Sequence, residues 1–261
     1  MFTITMSGSI LSFPDQMESE GDKMRISLAL EIGFVLLFAV GASAQVRAYV
    51  QMDFSGPIEF VVTDSQGERS GINPITKTDY DEISYADYGD GTDEGMREFV
   101  FRHALTDTSF STVYSIQIFG TGDGLFTGGG NGKQTRSGKG GSFRVSGVID
   151  SNQTLNYVFN YSTDSTIAPV FTKVIESITI GQEVGDLLKL SLITNHGIAN
   201  SLQQKIDNAW KQKEKGQTNA ARNLVRAFIN EVNAQNGKAI TGEAASILLA
   251  DAQQLLEEWS Q

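Results

Sequence analysis

The chain has 261 residues, 40% hydrophobic and 20% charged, with a formal net charge of −11 and no cysteine. Such a mixture suits one large or two ordinary globular domains with a packed core. The acidic balance argues against a phosphate-tracking nucleic-acid surface, which needs Lys and Arg to displace counterions. The lack of Cys excludes disulfides, thiolate nucleophiles, thiolate metal ligands and the lipidated cysteine of a lipoprotein.

Residues 24–44 read as a cleavable secretory signal peptide. Arg25 supplies the positive start, residues 32–40 the apolar stretch, and Ala42-Ser43-Ala44 the small-x-small site, with cleavage between Ala44 and Gln45. The apolar run falls well short of the roughly 20 residues that span a bilayer, and Glu31 sits at its mouth. Residues 1–23 are polar and acidic and do not fit this logic; they read as a mis-assigned start ahead of Met24, or as a disordered leader. The expected location is secreted, periplasmic or cell-surface, with no membrane span after cleavage.

Over 45–180 the apolar residues recur at every second position. Val46, Ala48, Val50, Met52 and Phe54 share one face of the first strand, and Arg47, Tyr49, Gln51 and Asp53 the other. The alternation returns at 58–63, 98–103, 114–118, 143–149, 155–161 and 170–179, separated by Gly, Asn, Asp or Ser clusters. About seven short strands without intervening helices predict an antiparallel β-sandwich.

Two stretches break the spacing and read as loops. The first, 64–95, is acidic; Asp87, Asp90, Asp93 and Glu94 alternate with glycines in a way that could supply the oxygen ligands of a calcium site. The spacing is not that of an EF-hand, and a merely solvated acidic loop is the alternative. The second, 120–141, is glycine-rich and carries Lys133, Arg136 and Lys139, but lacks the P-loop spacing and reads as a flexible hairpin tip.

From 181 to 261 the period lengthens to about 3.6. Leu202, Ile206, Ala209 and Trp210 form one stripe; Ala221, Val225, Phe228 and Val232 a second; Ala245, Leu248, Ala252, Leu255 and Trp259 a third. A shorter helix is expected over 184–193. Gly197, Gly216 and Gly237 suit helix ends, and Thr241 with Glu243 a helix start. The expected fold is thus mainly β plus α: a sandwich domain (45–180) followed by a three- to four-helix bundle (181–261).

The helical segment resembles the FIMAH domain, a small helical module found at the ends of bacterial exported and cell-surface proteins. The likeness rests on Leu192-Ile193, Gly197-Ile198, Leu202-Gln203-Gln204-Lys205-Ile206, Gly216-Gln217, the Ala227-Phe228-Ile229-Asn230-Glu231-Val232 run, and Ile240-Thr241 leading to Ala244-Ala245 and Leu248. It implies surface location and modular company, and no catalytic residue. The β region resembles sandwich modules of bacterial surface proteins at Val62-Thr63-Asp64-Ser65-Gln66-Gly67, Gly71, Glu82-Ile83, Tyr88-Gly89 and Phe119-Gly120-Thr121-Gly122, positions that shape turns in such modules.

No catalytic constellation stands out. Of the two histidines, His103 lies in phase on a predicted strand and His196 beside Gly197 reads as a cap at a helix end. No nucleophile elbow or zinc-binding His pair occurs. The reading is a non-catalytic interaction or scaffolding protein that meets an unknown protein or glycan at the cell surface, with no cofactor unless calcium. Two alternatives come from other classes: a carbohydrate-binding accessory module in which Tyr49, Tyr80, Tyr85 and Tyr88 stack on sugar rings, and a small secreted hydrolase with a carboxylate pair.

Overall fold

The computed structural model describes residues 3–6, 9–12, 47–84, 86–91, 96–104, 111–134, 140–162, 167 and 169–260. The signal-peptide segment, with Ala44 and Gln45, lies outside them. The chain divides into two compact units, Met1–Gln45 and Val46–Gln261. In the first, β1 (Thr3–Met6) and β2 (Ser9–Ser12) pair antiparallel.

In the second unit the sequence alternation resolves into two antiparallel sheets. Strands β3 (Arg47–Ser55), β7 (Ala86–Asp90), β8 (Met96–Ala104), β10 (Gly124–Gln134) and β11 (Gly140–Ile149) lie in the order β11-β10-β3-β8-β7. Strands β4 (Ile58–Thr63), β5 (Arg69–Asn73), β6 (Thr78–Asp81), β9 (Ser111–Gly120), β12 (Thr154–Ser162) and β13 (Val170–Lys173) lie in the order β13-β12-β9-β4-β5-β6. The inward faces of both sheets bury one cluster that includes Met52, Phe54, Phe60, Ile116 and Phe159. Its aromatic rings interlock: Phe54 and Phe60 meet at 4.8 Å, and Phe143 stacks on Phe171 at 4.4 Å. Each such ring removes a large apolar area from water, so this sandwich is the predicted one, held by the predicted faces.

Both expected loops contain strands. The acidic stretch contains β5, β6 and β7, which together carry the chain from one sheet to the other. The turn before β5 has the shape expected from the surface-module likeness: Asp64 Oδ1 accepts from the amides of Gln66 and Glu68, and Gly67 takes a left-handed φ of 89°.

Within the glycine-rich stretch, residues 124–134 form a strand and not a flexible tip; 135–139, with Arg136 and Lys139, lie outside the described residues. This strand, β10, is an interior strand paired on both sides, with β3 and β11. Glycine is there to make room for rings. Gly128 lies opposite Phe54, Gly130 opposite Phe143 and, on the neighbouring strand, Gly147 opposite Phe126. A methyl group on each would sit 2.2 to 2.5 Å from an atom of that same ring, far inside van der Waals contact. At Gly132 it would meet Tyr161 of the other sheet at 2.1 Å. The rings occupy the space over bare backbone that a side chain would otherwise fill.

The last strand ends at Lys173, and the helical part begins earlier than expected, with α1 (Thr179–Lys189), α2 (His196–Glu214), α3 (Thr218–Gln235) and α4 (Gly242–Glu258). The three stripes meet in one core through Leu202, Ile206, Val225, Phe228, Leu248 and Leu255. Val148 of β11 and Ile175 belong to the same core, so the sandwich supplies part of the bundle's floor. Thr241 caps α4, accepting from Ala244 N, with Glu243 in the first turn, and Gly216 and Gly237 take left-handed φ, all as expected. Gly197 does not. It sits in the first turn of α2 behind the cap Asn195, whose side chain accepts from Ile198 N. His196 therefore starts a helix instead of ending one, beside the positive pole and away from orphan carbonyls.

Candidate functional site

Of the residues expected to gather around calcium, Asp87 and Asp90 lie on β7. Asp87 is exposed on β7, opposite Val100, and Asp90 lies opposite Arg97 on the same extended strand; Asp93 and Glu94 are outside the described residues. Among the described residues, no group of three or more His, Asp or Glu side chains converges as a metal cage.

Of the tyrosines expected on an open sugar-stacking face, Tyr88 and Tyr80 are otherwise engaged. The Tyr88 ring packs edge-on against Phe60, its hydroxyl donates to Glu59 Oε2 at 2.5 Å, and it accepts from Phe60 N, just before the pairing of β4 with β5 begins at Val61. Burial, then the charge and hydrogen bond of Glu59, push its phenol well above the usual range. Tyr80 lies beneath the Arg69 guanidinium, 4.0 Å from ring centre. Tyr49 is half-buried, and Tyr85 lies outside the described residues.

Where the sandwich meets the helices, three charged side chains are buried together. Lys173 Nζ of β13 contacts Glu183 Oε1 of α1, and Asp251 Oδ2 of α4 at 2.7 Å; the side chains are 5%, 0% and 11% exposed. Gln254 of α4 donates to the Lys173 carbonyl. The buried Tyr157 hydroxyl stands near the cluster without a hydrogen-bond partner, as does Glu183 Oε2. One cation against two carboxylates would leave a net negative charge out of water, which is costly. Burial, aided by Asp251, pushes the Glu183 carboxyl well above its ordinary range, against the pull of Lys173. Burial alone would lower Lys173, but Glu183, Tyr157 and Asp251 outweigh it and hold the ammonium charged. Burial therefore favours the protonated form of Glu183, while the surrounding oxygens favour the charged form of Lys173.

A second, exposed set of ion pairs spans the same junction. Lys189 of α1 bridges Asp123 at 2.7 Å and Asp150 at 2.6 Å, both on sandwich turns. The Lys189 hydrogen bond is the main cause that holds Asp123 down at about 2. Nearby Asp186 moves the other way, from 3.8 to about 6, through burial and then the charge of Asp150. Because its folded value lies above its unfolded one, the stability it contributes is complete below about pH 4 and is lost as the pH rises through about 6. Asp186→Asn is expected to flatten that part of the profile, measured as urea midpoint between pH 3.5 and 7; an unchanged slope would refute the assignment.

A cleft of about 200 Å³ opens at one end of the six-stranded sheet, lined by Ser111, Thr112 and Val113 of β9, Asn160, Tyr161 and Ser162 of β12, and Ile167 and Val170. Among the described residues, none that lines it carries a carboxylate or an imidazole. It continues onto the outer face of β9, β12 and β13, where cross-strand rows run Val113, Asn160, Val170 and then Ser115, Val158, Thr172. Beyond these, Gln117 donates to Asn156 at 3.3 Å, and Val174 follows at the strand end. None of these side chains is charged.

Residues 179–257 match the family model of the FIMAH domain. This confirms the resemblance read from the helical segment and suggests a surface-associated protein. No curated protein matches the chain. Among the described residues, no helix is long and apolar enough to cross a membrane.

Proposed function

We propose that this is an exported, surface-associated bacterial protein without catalytic activity, in which the sandwich makes contact with a partner and the helical module is fixed rigidly to it as a scaffold. The carrying observation is the FIMAH match beginning at residue 179, shortly after β13, in a chain whose helical core takes in Val148 of the sandwich. Two features speak for a binding role over a hydrolytic one. The carboxylates Glu183 and Asp251, which lie close together, are shut away from solvent and bound to Lys173. The open cleft is lined by hydroxyl, amide and aliphatic groups, which can hold a ligand but offer no general acid or base in the neutral range.

Cell fractionation with N-terminal sequencing tests this reading. The expected result is protein in the envelope or medium, beginning at Gln45. Protein confined to the cytoplasm, or beginning within 1–23, would overturn it. Partner capture from a surface extract, with calcium and again with chelator, adds the role of the acidic stretch: release by chelator would assign Asp87, Asp90, Asp93 and Glu94 to calcium.

A further inference from the structure

We propose that the outer face of β9, β12 and β13, together with the cleft at its end, binds a neutral polysaccharide; this rests on the reading of the protein as a surface interaction module. The first reason is charge. The chain carries −11 overall, yet the rows from Val113 to Val174 contain no Asp, Glu, Lys or Arg. An ionic polymer would find no counter-charge there, and an anionic one would be repelled by the rest of the molecule. An uncharged chain avoids both terms.

The second reason is the kind of polar group. Asn160, Asn156 and Gln117 carry amides and Ser115 and Thr172 hydroxyls, each able to donate and to accept. Sugar hydroxyls have the same dual character, so such a face can satisfy them in several registers. Between these groups stand Val113, Val170 and Val174, which are 47%, 50% and 41% exposed and give the C–H faces of a sugar ring an apolar bed. Valine and threonine are stiff about χ1, so little side-chain entropy is lost when a flat ligand lies on them. The rows repeat about every 4.8 Å across strands and about 6.8 Å along them, a regular lattice suited to a repeating polymer.

Other occupants fit less well. Protein interface cores are enriched in aromatics, Met and Arg, none of which stands in these rows. A lipid surface would call for Lys, Arg and Trp. Addition of a partner strand to the β13 edge is hindered, because Pro169 precedes the strand with no amide hydrogen and Gln254 already occupies the Lys173 carbonyl. The cleft is smaller than the roughly 300 Å³ at which pockets for drug-sized ligands begin, so it holds one part of a longer ligand that continues along the face.

The test is sedimentation of the full chain with insoluble cellulose, mannan and chitin, and gel retardation in polygalacturonate as the anionic comparison. Expected is depletion by at least one neutral polysaccharide, little changed by about 0.5 M NaCl because no charge pair is involved. Val113→Glu and Asn160→Ala should each weaken it about tenfold or more, with circular dichroism confirming that both variants fold. Ile75→Glu, which removes an exposed apolar residue from the β5–β6 turn, should leave it unchanged. No depletion by any neutral polymer, retardation by polygalacturonate alone, or equal loss in Ile75→Glu would overturn the proposal. Fractionation separates the two failures: an extracellular protein that binds none of these polymers loses this ligand only, whereas a cytoplasmic one loses the surface reading itself.

Discussion

Lys173→Met is expected to lower the unfolding free energy by about 3–5 kcal/mol, because it strands Asp251 and Glu183 in a dry site with no cation. For a unit of this size that corresponds to a fall in Tm of roughly 6–20 °C. Glu183→Gln should behave very differently. If the carboxyl already carries a proton, the amide replaces it nearly isosterically, and the loss near pH 7 is expected to stay below about 1 kcal/mol. A loss of several kcal/mol would mean that Glu183 is ionised and paired with Lys173. The triple replacement Lys173→Met, Glu183→Leu, Asp251→Leu should recover most of the stability lost in the single variant, since well-packed apolar groups often equal a buried ion cluster. Chemical denaturation of the four proteins at one pH decides among these outcomes.

Gly128→Val is the second large effect, expected at about 3 kcal/mol. Its side chain would enter the space of the fully buried Phe54 ring, which lies between two sheets and cannot swing aside without displacing Phe60. The explanation is steric, so it predicts coupling. Phe54→Ala alone should cost about 3–5 kcal/mol, but Gly128→Val with Phe54→Ala should cost clearly less than the sum, by about 1–3 kcal/mol. Additive losses would mean that glycine is needed there for some property of the backbone and not for the ring. Urea midpoints of the two single variants and the double variant are sufficient.

How much of this was legible in the sequence differs from element to element. Strands with apolar alternation, such as Val50, Met52 and Phe54, declared both their type and their inner face. The helical stripes and the Thr241 cap did the same. β10 was missed because glycine has no side chain to mark an inward position, so Gly128, Gly130 and Gly132 read as flexibility. The signal was nevertheless present: they fall on alternate positions, the period of a strand. β5 to β7 were missed for a related reason, since Asp and Gly disfavour strands and only pairing with neighbours keeps them extended.

The buried cluster had a subtler signature. Glu183 lies in phase with Ile180, Val184 and Leu187, and Asp251 with Leu248, Ala252 and Leu255, so each is an acid on an otherwise apolar stripe. Lys173 ends a strand otherwise free of charge. Such placements are explained only when partners from distant segments converge, and sequence spacing does not bring β13 and α4 together. The tyrosines misled in the opposite direction. A Tyr on a strand has the same appearance whether its hydroxyl meets water or, as with Tyr88, closes a gap in the opposite sheet.

The short passage from β13 to α1 has a mechanical meaning. Here residues 174–178 offer little slack: Ile175 is packed into the helical core, and Lys173 is clamped by α1 and α4 on the near side. A pull on the C-terminal helix would therefore be transmitted to the sheet that carries the uncharged face, and the two parts should yield in a single event instead of one after the other.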